Sequence, residues 1–293
     1  MFSRTLVRFR ASDRSFMRIN KYLAECGVCS RRNADELVKQ GRVSVNKKVV
    51  KELGFDVDVD KDIVFVDGKK VVKVTHYDYI MFNKPKGCVT TMDDSKDNKS
   101  GRPKTDAEST ESLQKSLETV DDAAKKRPRR TVLDYIGNDF KNKRLFPVGR
   151  LDYDSEGLLL LTNDGDLTFK LTHPSGEIPK TYIVKIEGTI EESDLAILRK
   201  GVKVDGVKYG HSKVKVTGVE DGDTRLEVII FEGKNREIRR MFEAVEKKVV
   251  FLKRVAIGDL RLGGLSRGGY RELNEIEVAY LKTLCEKAGI NKQ

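Results

Sequence analysis

Apolar and polar positions in the N-terminal part of the chain follow the periods of two short helices and several short strands. Ser30 is placed to cap the second helix, whose exposed face is basic. Strand-like alternation follows at 43–45 and at 63–66, and Asp67-Gly68 after the second strand is a hairpin signal. The pattern predicts a small α/β module over residues 17–75.

A second domain is predicted over 76–285. Its first strand is expected at 79–82 and the next clear one at 145–151. Further along, short alternating strands mix with amphipathic helices and lack a regular strand-helix-strand rhythm, which favours an α+β fold with a largely antiparallel mixed sheet flanked by helices. Asn274 is placed to cap the last helix, and residues 286–293 form a tail.

Two segments fit neither domain. Residues 93–130 contain no aromatic side chain, few apolar ones and many charges of both signs, so we predict a disordered insertion that interrupts the second domain. Residues 1–16 form a basic extension that is read either as an upstream-start extension, which we favour, or as an organellar transit peptide. The first reading predicts a cytoplasmic protein and the second a protein of an organellar matrix.

The charge balance narrows the class of partner. With 57 Lys and Arg residues against 46 Asp and Glu, the 293-residue chain has a formal net charge of +11. Such an excess suggests a polyanionic partner, with nucleic acid ahead of an acidic membrane surface. The densest apolar run, 158–161, is far shorter than the roughly 18 to 20 residues that a spanning helix needs, so we expect no membrane segment.

The cysteines and histidines indicate neither a disulfide scaffold nor a metal site. Four cysteines are too few for a scaffold in a chain of this length, which favours a reducing, intracellular compartment. Cys26-x-x-Cys29 has no second pair, and the three histidines lack ligand-like spacing. We therefore expect no metal ion.

Three carboxylates crowd the polar loop at 149–157, which leads into a predicted buried strand. Asp152 and Asp154 are candidates for metal ligands, for a paired acid and base, or for capping groups of the loop, and the spacing leaves these alternatives open. Asp152 is weakly favoured as a reactive carboxylate, because it follows the predicted strand end at Leu151 and adjoins Arg150. A carboxylate that stays ionised while screened from water needs a cationic partner.

A later amphipathic helix offers candidate cations. Its apolar stripe at helical spacing consists of Ile238, Met241, Phe242 and Val245. Arg239 projects beside this stripe and is the arginine best placed for a half-buried ion pair. Arg236 and Arg240 point nearly opposite the stripe. Together with Lys234 they are read as phosphate contacts or, with equal weight, as a solvated helix face.

Tyr182 lies in a predicted strand, 180–186, and shares a face with Val184 and Ile186. A core position is the favoured reading of this pattern. The alternative is a tyrosine in a cleft, whose ring would stack on a nucleobase that an enzyme has turned out of its helix.

Several of these segments are similar, in this order, to the motifs of a known enzyme family. They are 24–32 and 41–46 in the first module, Asn83-Lys84-Pro85-Lys86-Gly87, Gly149-Arg150-Leu151-Asp152, Lys180-Thr181-Tyr182 and the helix at 232–241. The chain resembles the RsuA/RluB-type ribosomal RNA pseudouridine synthases over nearly all of 17–285 except the insertion. Its first module resembles the RNA-binding module named after ribosomal protein S-four. Lys47 departs from the glycine that is commoner in its turn, and the insertion exceeds the usual loop.

The resemblance implies that Asp152 is the catalytic aspartate, Tyr182 the active-site tyrosine at the target base, and Arg239 the basic partner of Asp152. It also implies an isomerase that needs no cofactor. The basic residues that we expect to contact RNA are Arg18, Lys21, Arg31, Arg32, Lys39, Arg42, Lys84, Arg150, Lys180, Lys234, Arg236 and Arg240.

The leading hypothesis is an enzyme that isomerises a specific uridine of ribosomal RNA to pseudouridine by detaching the base, turning it and rejoining it through C5. Similarity to the RluB branch mildly favours the large subunit, with ribosomal precursor particles as an alternative to naked RNA, and family analogy favours a monomer. A second hypothesis is a hydrolase that releases the base, with Asp154 or Glu156 activating water. A third is a non-catalytic RNA-binding or ribosome-assembly factor.

Overall fold

The structure is a computed structural model that describes residues 16–91, 130–136, 140 and 143–289. The chain divides into two compact units, one that ends at Tyr77 and one that begins at Asp78. Nearly all of the predicted extension at 1–16 and of the predicted insertion at 93–130 lies outside the described residues. None of the helices in the described ranges is long and apolar enough to cross a membrane.

The first unit combines two helices with short antiparallel strands. Its elements are β1 (Phe16–Arg18), α1 (Ile19–Glu25), α2 (Arg31–Lys39), β2 (Val43–Val45), β3 (Lys48–Val49), β4 (Asp56–Asp58), β5 (Val64–Val66) and β6 (Lys69–Val71). Strands β3, β2, β5 and β6 form one sheet in this order, and β1 pairs with β4. Leu23 and Val38 of the helices are buried in one core with Val43, Val57 and Val64. The predicted α/β module is confirmed.

Two local features of this unit test the sequence reasoning. Ser30 caps α2 as predicted, since its hydroxyl accepts a hydrogen bond from the Asn33 amide at 3.1 Å. The turn between β2 and β3 forms in spite of Lys47, with φ angles of 50° at Asn46 and 67° at Lys47. A lysine in this left-handed conformation costs about 1–2 kcal/mol. The Asn46 side chain supports the turn by accepting a hydrogen bond from the Ile63 amide at 3.0 Å.

The second unit is built on one large sheet and one two-stranded sheet, β11-β12. The strands of this unit are β7 (Tyr79–Lys84), β8 (Phe146–Pro147), β9 (Glu156–Thr162), β10 (Lys180–Ile186), β11 (Val202–Val204), β12 (Val207–Tyr209), β13 (Ser212–Glu220), β14 (Asp223–Ile230), β15 (Val249–Ile257), β16 (Leu260–Arg261) and β17 (Tyr270–Glu272). Its helices are α3 (Leu133–Ile136), α4 (Gly165–Thr172), α5 (Glu192–Lys200), α6 (Glu237–Glu243) and α7 (Glu275–Lys287).

The sheet joins two antiparallel halves. Over the described residues its strand order is β13-β14-β10-β15-β9-β7-β17, with β16 added to β15 and β8 added to β9. Every pair in it is antiparallel except the pair formed by β9 and β15. The predicted α+β class with a largely antiparallel sheet is therefore confirmed.

Strand β9 shows how the helices cover the sheet. All of its residues are buried. Leu159 and Leu161 face one core with α3, α5 and α6, whereas Leu158 and Leu160 face a second core with α4 and α7. A strand that is buried on both faces has a continuous apolar run. The buried strand predicted at 158–161 is confirmed.

Two predicted boundaries differ from the structure. The strand predicted at 145–151 is wrong except for Phe146–Pro147, because Pro147 has no amide N–H for the pairing and Gly149 turns the chain with a φ of 73°. Helix α7 is capped by Asn274, which accepts a hydrogen bond from the Glu277 amide at 2.9 Å. This helix continues to Lys287, past the predicted domain end.

The parallel contact between β9 and β15 is short and unusually close. The strands pair at only two positions, Glu156 with Lys253 and Gly157 with Arg254. Gly157 has a φ of 105°, and a Cβ atom there would overlap the backbone of Arg254. The backbones of the two strands can approach each other this closely only because residue 157 has no side chain.

We expect Gly157→Ala to destabilise the second unit by about 4 kcal/mol or more, since it combines a backbone clash with an unfavourable φ. Gly222→Ala is the matched control, because Gly222 also has a positive φ, 81°, but no atom lies within 4 Å of a Cβ built there. The control should cost about 1–2 kcal/mol. Urea unfolding of the full chain measures both, and equal losses would contradict the close approach of the strands.

Candidate active site

A cavity of about 260 Å³, here called the central cavity, lies beside the junction of β9 and β15. Its volume is close to the lower end of the range of about 300–1,000 Å³ for small-molecule pockets. Its polar wall contains Arg150, Asp152, Ser155, Lys180, Tyr182, Glu232, Lys234, Arg236, Glu237 and Arg254. Its apolar lining includes Ile230, Ile238, Leu252 and Ile257.

The central cavity brings together residues from separate parts of the sequence. Asp152 comes from the loop before β9, Lys180 and Tyr182 come from β10, and Arg236 comes from the turn before α6. Of the three predicted catalytic residues, Asp152 and Tyr182 line the cavity, whereas Arg239 is not part of its wall.

Hydrogen bonds hold the backbone of the loop that carries Asp152. Thr90 Oγ1 donates to the Leu151 carbonyl at 2.7 Å. The Gly87 amide donates to the Tyr153 carbonyl at 2.8 Å. The Asp152 side chain is therefore presented to the central cavity from a braced loop, which is the kind of support that a reactive group needs.

Lys84 is the third anchor of this loop. Its side chain is fully buried, and Nζ donates to the carbonyl oxygens of Pro85, Asp152 and Ser155 at 3.2, 3.0 and 2.9 Å. Burial lowers the pKa of this amine. The prediction that Lys84 contacts RNA is wrong, because its three donors are used inside the unit and no phosphate can reach them.

Arg239 forms a half-buried ion pair with Asp154 instead of Asp152. Its Nη2 lies 3.2 Å from Asp154 Oδ2 and donates to the Asp154 carbonyl at 3.1 Å, and its Nη1 donates to the Val249 carbonyl at 3.0 Å. Burial lowers the pKa of Arg239, and the charge of Asp154 opposes this shift. The half-buried pair that the helical spacing predicted is confirmed. The predicted partner is wrong, because Asp152 lines the cavity while Asp154 faces α6.

The turn before α6 places Arg236 at the central cavity. The Glu237 carboxylate accepts hydrogen bonds from the Gly233 and Lys234 amides at 2.7 and 2.8 Å, and Arg236 adopts a φ of 49°. Burial raises the pKa of Glu237, while the two amide donors oppose the increase. Arg236 also lies 3.4 Å from Asp154, so that two arginines of this region hold the same carboxylate.

Strand β10 contributes Lys180 and Tyr182 to the wall. Tyr182 is 7% exposed, belongs to the core and also lines the central cavity, whereas its stacking on a nucleobase stays a prediction. Lys180 Nζ donates to the Ile178 and Glu232 carbonyls, each at 3.0 Å. Burial, with a smaller effect from the charge of Arg254, lowers the pKa of Lys180 to about 8. Lys180 lines the central cavity with its amine buried and held by carbonyls, and its contact with RNA stays a prediction.

Arg254 and Ser155 are among the wall residues that the sequence did not mark. They are 4% and 2% exposed. Within the described residues, neither Arg254 Nη2 nor Ser155 Oγ has a hydrogen-bond partner. A signal for Arg254 was available, since it occupies an inward position of an alternating strand between Leu252 and Ala256, where a charge is unexpected.

The other predicted RNA contacts are exposed or half-exposed, and their role stays a prediction. In the second unit these are Arg150, Lys234, Arg236 and Arg240. Lys234 pairs with Glu232 at 2.7 Å, and Arg240 pairs with Glu243 at 3.3 Å. In the first unit they are Arg31, Arg32, Lys39 beside Glu36, Arg42 beside Asp67, Arg18 beside Asp56 and Lys21 beside Glu25. Exposed pairs of this kind contribute only about 0–1 kcal/mol, so a phosphate can replace the acidic partner.

Two sequence-family models match the chain. One describes an RNA pseudouridylate synthase and matches residues 78–244, and the other describes the S4 domain and matches residues 17–64. The chain belongs to the RNA pseudouridine synthase family. The resemblance of both units to this family is confirmed.

Relatives and a solved structure agree with this assignment. An RNA pseudouridine synthase of Aquifex aeolicus is 38% identical over 90% of this chain and 93% of its own length. The ribosomal large subunit pseudouridine synthase B of Bacillus subtilis is 37% identical over 92% of this chain and 97% of its own length. A crystal structure of a pseudouridylate synthase is 27% identical, covers 90% of this chain and 99% of its own, and has a TM-score of 0.58.

The family assignment separates the three functional hypotheses. The synthase is an RNA-modifying isomerase, its first unit is an S4 RNA-binding module, and its second unit has the pseudouridine synthase fold. The central cavity lies in this second unit. Neither a base-releasing hydrolase nor a non-catalytic RNA-binding factor receives support from these comparisons.

Arg239→Leu should destabilise the synthase by about 2 kcal/mol, because it removes the half-buried partner of Asp154 and the donors to the Asp154 and Val249 carbonyls. The matched control is Arg240→Leu on the same helix, whose side chain is 44% exposed and which should cost under about 1 kcal/mol. Urea unfolding measures both variants. In an Asp154→Asn background the effect of Arg239→Leu should shrink, and an unchanged effect would show that the pair is not what stabilises the loop.

The shifted pKa of Lys180 predicts a change of stability with pH. As the pH falls from about 10.5 to 8, the unfolded chain takes up the Lys180 proton before the folded chain does, so wild type loses stability relative to Lys180→Met over this window. The difference should reach about 3 kcal/mol. Unfolding of both proteins in urea at pH 8, 9 and 10 measures it. Lys185→Met, at a half-exposed position of the same strand, is the control, and the same pH trend in it would refute the assignment to Lys180.

Proposed function

We propose that the synthase converts one uridine of large-subunit ribosomal RNA to pseudouridine, with Asp152 as the catalytic carboxylate. The observation that carries the proposal is the position of Asp152 in the wall of the central cavity, on a loop that Lys84 and Thr90 hold. The choice of RNA rests on the Bacillus subtilis relative, which is named for the large subunit and aligns with nearly the whole chain.

The reaction exchanges one bond to ribose C1′ for another. The N1–C1′ bond breaks, and its electron pair leaves with the uracil. The base turns, C5 bonds to C1′, C5 loses its proton and N1 takes up a proton, so the composition is unchanged. Asp152 starts this sequence, either by attacking C1′ or by removing a proton from C2′. No step is a net oxidation or reduction, and the proposal includes no redox cofactor.

Tyr182 and Arg239 have different parts in this proposal. Tyr182 lines the central cavity, where its ring retains the detached base while the base turns. Arg239 acts as a positioning residue, because it holds Asp154 and thereby the turn that carries Asp152. In this proposal Arg239, the family's basic partner, does not contact the reacting atoms.

Two carboxylates that were candidates for activating water are occupied elsewhere. Asp154 is paired with arginines, and Glu156 is buried and pairs with Arg267 at 3.0 Å. Neither Asp154 nor Glu156 lines the central cavity. This arrangement supports isomerisation over hydrolysis, because hydrolysis needs a second carboxylate beside the reacting carbon.

The two other acidic residues of the cavity wall also have partners. Glu237 accepts two backbone amides, and Glu232 lies 2.7 Å from the Lys234 amine. Asp152 is therefore the cavity carboxylate that we assign to the chemistry.

The S4 module supplies RNA contacts that are separate from base selection. Helix α2 exposes Arg31 and Arg32, and Lys39 lies at its end. Contacts of these side chains with phosphates would give affinity that falls as salt rises, without reading the sequence.

The test combines one substitution with mapping of the product. Wild type, Asp152→Asn and the control Asp205→Asn, whose side chain is 78% exposed, are incubated with unmodified transcripts of both ribosomal RNAs. Pseudouridine is mapped by carbodiimide labelling and primer extension. We expect one new stop on the large-subunit transcript with wild type and the control, and a rate at least about 1,000-fold lower with Asp152→Asn at nearly unchanged RNA affinity.

Each of the other possible outcomes contradicts one part of the proposal. Turnover by Asp152→Asn would reassign the catalyst, and a stop only on the small-subunit transcript would reassign the substrate. Free uracil in the supernatant would favour hydrolysis. If both naked transcripts stay unmodified, the assay is repeated on ribosomal precursor particles, where silence would contradict ribosomal RNA as the substrate.

A further inference from the structure

Arg254 is a buried cation with an unused donor in the wall of the central cavity. It lies on β15, is 4% exposed, and donates from Nε to the Leu158 carbonyl at 2.7 Å. Its Nη2 has no hydrogen-bond partner in the part of the chain that the structure describes. Over the same residues no carboxylate forms an ion pair with Arg254.

This arrangement is unfavourable for the protein alone. A buried charge without a counter-ion and a buried donor without an acceptor each destabilise a fold, and such groups cluster at functional sites. One neighbouring ionisable group is a second cation, Lys180, whose pKa Arg254 helps to lower. Ser155 Oγ, in the same wall, also has no partner among the described residues. The wall is therefore incomplete without a ligand that brings acceptor oxygens.

The detached uracil is such a ligand. When the N1–C1′ bond breaks and its electron pair stays with the base, the negative charge spreads over N1, O2 and O4. A fixed donor that carries positive charge in a buried site stabilises such a charge strongly. A phosphate fits less well, because the exposed cations Arg150, Lys234 and Arg236 lie in the same wall and meet the RNA backbone before the buried Arg254 does.

We propose that Arg254 is a catalytic residue that donates from Nη2 to a carbonyl oxygen of the target uracil and stabilises the charge on the detached base. This inference rests on the proposed function, since it takes the central cavity with Asp152 as the site of the reaction. Arg254 then acts on the base while Asp152 acts on the sugar. Its Nε bond to Leu158 fixes the direction of the guanidinium, so that the donor is in place before the charge develops.

The test pairs variants of Arg254 with single-atom changes of the substrate. The RNA is a fragment around the mapped uridine, with that uridine replaced by 2-thiouridine or 4-thiouridine, whose sulfur accepts hydrogen bonds weakly. Arg254→Met, Arg254→Lys and the control Lys253→Met, from the neighbouring position on β15, are compared with wild type in single-turnover assays. Unfolding in urea and RNA affinity are measured for every variant.

We expect Arg254→Met to lower the rate constant on uridine by about 100-fold, with RNA affinity nearly unchanged. Arg254→Lys should retain part of the rate, because it keeps the positive charge. On the thio-substrate that removes the contacted oxygen, wild type should slow by about tenfold, and the further loss caused by Arg254→Met should shrink by the same factor. Lys253→Met should behave as wild type on every substrate.

A purely structural role of Arg254 gives a different pattern. The losses from the variant and from each thio-substrate would then multiply, and this result would overturn the proposal. If Arg254→Met does not fold, the same comparison is made with Arg254→Lys. It separates the two roles in the same way, because the lysine moves the donor but keeps the charge. A wild-type enzyme without activity would contradict the proposed function itself, whereas an active wild type with multiplying losses would remove only the role of Arg254.

Discussion

The active site depends on the contact at which β9 meets β15 with no side chain between their backbones. Gly157 makes this approach possible, and the strands pair there at only two positions. The two antiparallel halves of the sheet are joined only through this short parallel contact, which leaves space beside it. The central cavity occupies this space. The loop that carries Asp152 leads directly into Gly157. The same contact therefore sets both the space for a substrate and the position of the proposed catalytic carboxylate.

Buried cations form much of the framework around this cavity. Lys84 and Lys180 bond to backbone carbonyls, and Arg239 holds the backbone and the carboxylate of Asp154. Such groups are tolerated inside a protein because acceptors surround them, and each bond ties two segments that are distant in sequence. Arg254 differs from the other three, since it both lines the central cavity and has a buried donor without an acceptor, whereas Arg239, whose Nε also has no acceptor among the described residues, lies outside the cavity wall. This difference separates the cations that brace the site from the one to which we assign a part in the chemistry.

The surface charges serve another purpose. Several of the exposed arginines and lysines lie beside an acidic neighbour, and such pairs exchange partners at little cost in free energy. Under the proposed function, the net charge of +11 attracts RNA over a long range, while the cavity selects a single base at short range. In this proposal, different residues carry the affinity for RNA and the choice of the uridine, and the affinity responds to salt more than the choice does.

Local patterns in the sequence predicted many of the elements and several of their details, but not the course of residues 145–151. The cap at Ser30, the strand buried on both faces and the inward direction of Arg239 all follow from interactions within a few residues. The family motifs marked Asp152 and Tyr182, and the structure places both in one cavity. The strand expected to end at Leu151 was a poor guide to Asp152, because Gly149 turns the chain before it.

What the sequence could not decide was which side chains meet. Arg239 needed a carboxylate, but only the folded turn showed that Asp154 reaches it while Asp152 faces the cavity. Lys84 and Lys180 were predicted to contact RNA, and only the folded structure showed that carbonyls from other segments hold their buried amines. Thus the sequence by itself determined the helices, the strands and the faces that they bury. Only the tertiary packing of β9 against β15 decided which polar groups share a cavity, because that contact joins segments whose pairing no local periodicity records.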